Sequence, residues 1–179
     1  MFLWFAVGCL PLRFDVTGTT AVMTGDLTSS APEKVRRLLE DHPDLALIEL
    51  LNCPGSLDDK AVFQAARLVR EAGINTRVPD NGEMYSGAVD FFIAGVQRTV
   101  VDGGIVGVHS WSDGFREGSE LPPDDPEHDM YEVYYEEMGI SDDFYWFTLE
   151  AASSDDIHEM TQEELLLYSV VTEPAETSK

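Results

Sequence analysis

The sequence predicts an α/β fold of repeated βαβ units, with a mainly parallel sheet and a helical extension. Residues 45–51 are apolar almost throughout, which is typical of a strand covered on both faces in a parallel sheet. Residues 58–72 carry apolar side chains at helical spacing, and Gly73 supplies a C-terminal stop. Short strand-like runs and amphipathic segments alternate in this way along the chain. This order favours right-handed crossovers with functional loops at the carboxyl ends of the strands.

The other elements follow from the same patterns, taken in chain order. They begin with a strand over 14–23 and a helix after Ser30 with a Ser30–Glu33 capping box. Further strands are predicted over 74–79, 98–101, 105–108 and 170–172, and further helices over 87–96, 130–138 and 143–151. Another helix starts at Thr161, with a Thr161–Glu164 capping box. We divide the chain into an apolar segment (1–13), a core (14–112 and 153–173), an acidic loop and helical extension (113–152) and a tail (174–179). The aromatic side chains of the extension suit either core packing or a subunit interface.

Composition restricts the partners. The chain has 179 residues, 34 of them acidic and 11 basic, and 44% are hydrophobic. This describes one globular domain whose surface repels nucleic acid and favours cationic or neutral substrates. Two cysteines, Cys9 and Cys53, are too few for a disulfide framework and lack the spacing of a zinc site.

The first twelve residues form an apolar run of about signal-peptide length. The run has no basic region and is too short to span a bilayer, so it is either part of an export segment or a leading strand. Ala6-Val7-Gly8-Cys9 resembles a lipoprotein processing site. We expect membrane association only if this segment is a signal or carries a lipid anchor.

Ser86 and His109 are the candidate chemical groups. Ser86 directly precedes an apolar helix, where backbone N–H groups and the helix dipole could stabilise an oxyanion, although serine there is also a common N-cap. His109 follows a short buried strand, so its imidazole lies at a strand end. The other histidines, His42, His128 and His158, are expected at the surface.

The ordered landmarks of residues 17–172 resemble the Clp-type serine proteases of the crotonase-like superfamily, and most closely their periplasmic relatives. The landmarks are Gly25-Asp26-Leu27, Asn52-Cys53-Pro54-Gly55-Ser56, Glu83-Met84-Tyr85-Ser86-Gly87-Ala88, Gly107-Val108-His109 and residues 155–168. The resemblance implies the Clp protease/crotonase-like fold, a homo-oligomer, and a location in the periplasm or cell envelope, with a cytoplasmic location as the alternative.

The same resemblance implies a serine peptidase acting on extended or unfolded polypeptides. Ser86 would be the nucleophile, His109 the base, and Asp156, or alternatively Asp155, the acid of a triad. The amides of Gly87 and Ser56 would form the oxyanion hole, with no metal or organic cofactor. The alternative function is a weakly active or inactive Clp-like domain that binds peptides or assembles in the envelope.

Three residues depart from the family pattern. Ser56 replaces a glycine, which would strain the loop if that position needs a positive φ. Asp90 lies one helical turn after Ser86, where its charge would oppose an oxyanion unless it faces solvent or pairs with Arg98. Cys53 is a rival nucleophile without a base of its own. Acyl-CoA chemistry on the related crotonase scaffold is disfavoured, because the sequence shows no basic patch for nucleotide phosphates.

Overall fold

The computed structural model describes residues 10–173. Within this range eight strands form one sheet. The strands are β1 (Arg13–Thr17), β2 (Thr20–Thr24), β3 (Leu47–Cys53), β4 (Asn75–Val78), β5 (Glu83–Tyr85), β6 (Arg98–Val100), β7 (Ile105–Val108) and β8 (His158–Glu159). The α-helices are α1 (Ala31–Asp41), α2 (Asp59–Glu71), α3 (Gly87–Phe92), α4 (Asp129–Met138), α5 (Asp142–Ala151) and α6 (Gln162–Leu167).

The sheet is parallel in its centre and branches at β3. Strand β3 pairs with β2 on one side; on the other, Leu47–Glu49 pair with β4, and Asn52 and Cys53 pair with β5. Strands β6 and β7 extend the two branches in parallel, while β1 and β8 add antiparallel edges. The prediction of an α/β fold with a mainly parallel sheet is confirmed. The branch carrying β5 and β7 brings the segments after them, which hold Ser86 and His109, to the same edge.

Two predicted strands differ from those observed, and the observed strands β5 and β8 were not predicted. Residues 14–23 form a hairpin of β1 and β2 rather than one strand, because Gly18 (φ 60°) turns the chain between them. Residues 170–172 form no strand; β8 is the C-terminal strand and pairs with β7. Strand β5, with three residues, is too short to show alternation in the sequence.

The two predicted capping boxes have different outcomes. Thr161 and Glu164 form the predicted box at the start of α6. Ser30 precedes α1 without a side-chain cap, and Glu33 binds Arg36 and Arg37 instead. The prediction of a Ser30–Glu33 capping box was therefore wrong, because the nearby arginines offer Glu33 a charged partner in place of the backbone amide.

Helices α4 and α5 of the extension pack onto the sheet domain through aromatic rings. Tyr134 is fully buried and stacks on Phe63 of α2 with 4.2 Å between ring centroids. Tyr135 and Tyr145 are also buried within the chain. Core packing is thus the role of these aromatic anchors. His128, expected at the surface, is buried and bonds the Tyr145 hydroxyl through Nδ1 (2.6 Å), so that prediction was wrong.

Two predicted segments fall wholly or partly outside the described residues. Residues 1–9, with Cys9 and its lipoprotein-like sequence, and the tail 174–179 are not described. Within residues 10–173, no helix combines the length and apolar character needed to cross a bilayer.

Candidate active site

Ser86 occupies a strained turn between β5 and α3. Its φ of 53° and ψ of −131° lie in a region that residues other than glycine rarely adopt, at a cost of about 1–3 kcal/mol. The turn is held by Ser86 N donating to Gly107 O (3.0 Å) and Val89 N donating to Ser86 O (2.8 Å). The side chain makes no capping hydrogen bond to the helix. The hydroxyl is thus not committed as an N-cap, and the sharp strand-to-helix turn presents it as a nucleophile would be presented.

Glycines allow the backbone to approach Ser86 closely. A Cβ on Gly55 (φ 147°) would lie 3.2 Å from Ser86 Cβ and 3.7 Å from Ser86 Oγ. A Cβ on Gly87 would overlap the side chain of Ser56. Both positions therefore need glycine if the loop after β3 is to lie against the serine turn.

The amides of Gly87 and Ser56 are available beside this turn. Gly87 is the first residue of α3, so its N–H has no partner within the helix. The backbone of Leu27 donates to Gly55 O and accepts from Leu57 N. These two bonds lie on one side of the loop, so the Ser56 amide points to the side away from Leu27. Ser56 N lies 3.4 Å from the position that a Gly87 Cβ would take. Gly55 carries the positive φ and Ser56 does not, so the expected strain at Ser56 is absent.

His109 follows β7, the neighbour of β5 in the sheet. Its Nδ1 lies 2.7 Å from the carbonyl oxygen of Ser110. Because a carbonyl only accepts hydrogen bonds, this contact places the proton of the neutral ring on Nδ1 and leaves a lone pair on Nε2. Ser86 and His109 line the same cleft but are not hydrogen-bonded to each other within residues 10–173.

Neither candidate triad acid is hydrogen-bonded to His109 within residues 10–173. Asp155 and Asp156 are exposed, and Asp156 Oδ1 accepts from the amide of Ile157 (2.9 Å). Ile157 is the side chain of this segment that packs against β7; its Cγ2 lies 2.7 Å from the position that a Cβ on Gly107 would take. The third member of the triad stays a prediction.

Two carboxylates enter the cleft beside Ser86. Asp59, the first residue of α2, accepts from Ser56 Oγ (2.5 Å) and from the Tyr131 hydroxyl (2.7 Å). Asp90 of α3 accepts at Oδ1 from the Tyr135 hydroxyl (2.7 Å). The cleft that they share with Ser86 and His109 is partly open to solvent.

Burial raises the pKa of Asp90 from 3.8 to about 7. The charge of Asp59 contributes to this rise, and the hydrogen bond from Tyr135 opposes it. Asp90 does not pair with Arg98, which was one of the two arrangements that the sequence left open. Arg98 donates to the backbone carbonyls of Val170, Gly95 and Ser169 instead.

Aromatic rings complete the cleft wall. Trp111 stacks on Tyr131, and Tyr131 stacks on Tyr145, with ring centroids 5.6 and 5.2 Å apart and interplanar angles of 7° and 12°. The indole N–H of Trp111 donates to the Tyr145 hydroxyl (2.9 Å). These contacts fix the wall formed by α4 and α5 against the segment that follows His109.

Cys53 is excluded as a rival nucleophile. It is fully buried, its Sγ contacts Met23 O at 3.5 Å, and burial raises the pKa of its thiol to about 12. The thiolate that a nucleophilic cysteine needs is therefore strongly disfavoured. Within residues 10–173 no group of three or more His, Cys, Asp or Glu side chains could hold a metal ion.

Sequence reasoning missed Asp59 and the tyrosines as parts of the site. Asp59 reads as an ordinary acidic residue in the first turn of a helix. The tyrosines read as anchors of the extension, and no local pattern shows that the extension covers the cleft. The one sequence feature that marked these tyrosines was the high density of tyrosine in residues 131–145. That feature alone does not show that they line the site.

Several solved structures are similar to this chain. The 1510-N membrane-bound stomatin-specific protease, as a serine-to-alanine mutant, shares 16% identity, with 86% of this chain and 76% of that chain covered and a TM-score of 0.58. A lysine-to-alanine mutant of that protease, in complex with a substrate peptide, shares 15% identity over 82% and 71% of the chains (TM-score 0.54). Enoyl-CoA hydratase from Bacillus halodurans shares 11% identity over 94% and 74% (TM-score 0.59).

At these identities the similarity shows the fold alone. The chain has the crotonase-like fold, which confirms the predicted fold class. No protein-family model matches the chain, and no curated protein matches it. Membership of the Clp-type proteases, or of their periplasmic branch, stays a prediction.

Proposed function

We propose that this chain is a serine-type peptide hydrolase acting on extended or unfolded polypeptide. The observation that carries the proposal is the strained, uncapped Ser86 at the strand-to-helix turn. Holding serine at a φ of 53° has a cost in stability, and such strain is concentrated at functional sites. The neighbouring amides and His109 in the same cleft give the serine the partners that acyl transfer needs.

The proposed mechanism begins with proton transfer from Ser86 Oγ to His109 Nε2. The oxygen attacks the peptide carbonyl, and the Gly87 and Ser56 amides donate to the oxyanion that forms. His109 then gives its proton to the leaving amine, and the resulting acyl-enzyme is hydrolysed by water that His109 activates. The Ser110 carbonyl at Nδ1 holds the tautomer this sequence requires and stabilises the imidazolium.

In this proposal Asp156 or Asp155 supplies a second stabilising group once substrate binds. Both belong to an exposed turn whose carboxylates are not bonded to His109 in the free protein. An acid acting this way improves catalysis without being part of the resting site. The variants Asp156→Asn and Asp155→Asn separate the two candidates, because kcat falls only when the residue that acts as the acid is replaced.

The test is labelling with a fluorophosphonate probe, followed by peptide mass spectrometry. The expected adduct is on Ser86 of the parent chain and is lost in Ser86→Ala and His109→Ala. Ser30→Ala is the matched control, since Ser30 also precedes a helix without capping it. An adduct elsewhere, or one that persists in His109→Ala at the parent rate, contradicts the proposed roles.

The second candidate is a peptide-binding domain with little or no chemistry. It is favoured by the lack, within residues 10–173, of a hydrogen bond from His109 to Ser86, to Asp155 or to Asp156. A folded sample that binds unfolded polypeptide but forms no fluorophosphonate adduct supports this candidate. Substrate turnover that depends on Ser86 excludes it.

Self-assembly and a place in the periplasm or cell envelope complete the proposal. A homo-oligomer would use surfaces other than the buried rings of α4 and α5. Native mass spectrometry of the full chain tests assembly, and fractionation of the producing cell tests location, with a cytoplasmic pool as the alternative result.

A further inference from the structure

The cleft beside Ser86 has an unusual balance of charge. Asp59 and Asp90 both line it, and no lysine or arginine is among the residues of its lining. The donors that reach the two carboxylates are hydroxyl groups of serine and tyrosine. Two acidic groups thus line one cleft that has no lysine or arginine side chain to neutralise them.

The hydrogen bonds leave one carboxylate oxygen available. Both oxygens of Asp59 accept hydrogen bonds, and Oδ1 of Asp90 accepts from Tyr135. Asp90 Oδ2 accepts none within residues 10–173. A ligand with a single compact positive charge matches this arrangement, because it can bind Oδ2 and remain close to Asp59. A guanidinium would need two free oxygens on one carboxylate for its bidentate contact.

The walls of the cleft suit the remainder of such a ligand. Trp111, Tyr131 and Tyr145 form a stacked aromatic set, and Val89 and Val108 contribute apolar surface to the lining. Aromatic and apolar surface accepts a methylene chain, and aromatic faces attract cations. The cleft lining therefore combines aromatic and apolar surface with two carboxylates.

We propose that this cleft is a specificity pocket for a lysine side chain of the peptide substrate, whose ammonium group binds Asp90 Oδ2 beside Asp59. The inference rests on the proposed function, since it assigns the side-chain preference of the same site. The pocket shares its lining with Ser86 and His109, so a lysine bound there belongs to the residue at or next to the bond that is cleaved.

Binding is coupled to pH. The titratable groups that face Asp90 are Asp59, His109 and the hydroxyls of Tyr131, Tyr134, Tyr135 and Tyr145. Burial and Asp59 raise the pKa of Asp90 to about 7, and a bound cation favours its ionised form. Affinity for the ammonium group therefore rises as the pH increases from about 6 to about 8, with release of a proton on binding.

The experiment begins with NMR titration of the full chain by n-butylammonium, which represents the lysine side chain. Neutral 1-butanol and n-propylguanidinium are the comparison ligands. We expect n-butylammonium to bind most tightly, with shifts confined to the cleft. Asp90→Asn should weaken it by about tenfold or more, because a partly buried ionic partner is lost. Asp124→Asn, which removes an exposed carboxylate, should leave the affinity unchanged.

A covalent measurement separates the pocket from the chemistry. Peptidyl diphenyl phosphonates carrying lysine or norleucine differ in the ammonium group, and the rates at which they label Ser86 are compared. We expect the lysine probe to react about tenfold faster in the parent. The two probes should react at similar rates in Asp90→Asn.

The outcomes distinguish the two proposals. Butylammonium binding that depends on Asp90, with no labelling by either phosphonate, keeps the pocket and removes the peptidase. Equal labelling by both probes, or butylammonium binding no tighter than that of 1-butanol, overturns the pocket and leaves the peptidase standing. Tighter binding of propylguanidinium overturns the assignment to lysine. If Asp90→Asn does not fold, the pH dependence of the parent takes its place as the test. A butylammonium affinity that does not change from pH 6 to 8 then overturns the proposed pocket.

Discussion

Replacing Asp90 by asparagine should stabilise the folded protein at neutral and alkaline pH but not in acid. In the fold the pKa of Asp90 is about 7, against an ordinary 3.8, so the folded state binds a proton that the unfolded chain releases. Stability from this group is present below about pH 4 and is lost as the pH rises to about 7. Asparagine retains an oxygen that can accept from Tyr135 and has no charge to desolvate.

The magnitude follows from the size of the shift. A difference of about 3 units corresponds to about 4 kcal/mol, at roughly 1.4 kcal/mol per unit. The cleft is partly open to water, which screens the charge, so we expect the variant to gain about 2–4 kcal/mol at pH 8. The gain should fall to near zero at pH 4.

Urea unfolding followed by tryptophan fluorescence at several pH values between 4 and 8 measures this difference. Asp124→Asn is the matched control: it removes one carboxylate from an exposed position and should shift stability little at any pH. If the free energies of unfolding of Asp90→Asn and of the parent run parallel across this range, Asp90 does not titrate as the structure indicates, and the reasoning fails.

Three further predictions concern the neighbourhood of Ser86. Ser86→Gly should raise the free energy of unfolding by about 1 kcal/mol, because glycine accepts a φ of 53°. Ser86→Ala should not raise it. Equal free energies of unfolding for the two variants in urea would contradict the strain at Ser86. Gly87→Ala should abolish fluorophosphonate labelling and lower stability by roughly 1–3 kcal/mol, since its Cβ overlaps Ser56. Labelling at the parent rate would show that the loop moves freely. Cys53 should react with a disulfide reagent only as the protein unfolds, because its buried thiol has a pKa raised to about 12; rapid reaction in the folded state would refute this.

The parts of the fold that the sequence predicts are those with a sustained local pattern. Strand β3 belongs to a long apolar run, and α2 has apolar residues on one face over three turns. The predicted bounds of α2 lie within one residue of those observed, and the predicted bounds of β3 within two. Strand β5 has three residues and β8 has two, which is too short for any period to be visible. Their pairing depends on β7 lying between them, a fact of tertiary structure.

The same distinction applies to the site. Ser86 and His109 were found because each follows or precedes an element whose pattern can be read, and parallel strands carry their ends to one edge. Asp90 was recognised as a departure near Ser86, but its environment was not, since the hydroxyl that binds it comes from Tyr135, 45 positions further along the chain. The orientation of His109 depends on a backbone carbonyl, which no choice of side chain encodes.

The charge in the cleft connects the stability of this protein to its proposed substrate. Asp90 is held where its ionised form is poorly stabilised, and no lysine or arginine lines the cleft. A positively charged ligand would relieve that cost, so part of the free energy lost in folding at neutral pH becomes available as binding energy for a cation. The carboxylate that would oppose an oxyanion at Ser86 in the empty site is then neutralised by the substrate itself. On this argument the acidic cleft and the strained serine act together: chemistry at Ser86 is favoured when a lysine side chain occupies the pocket.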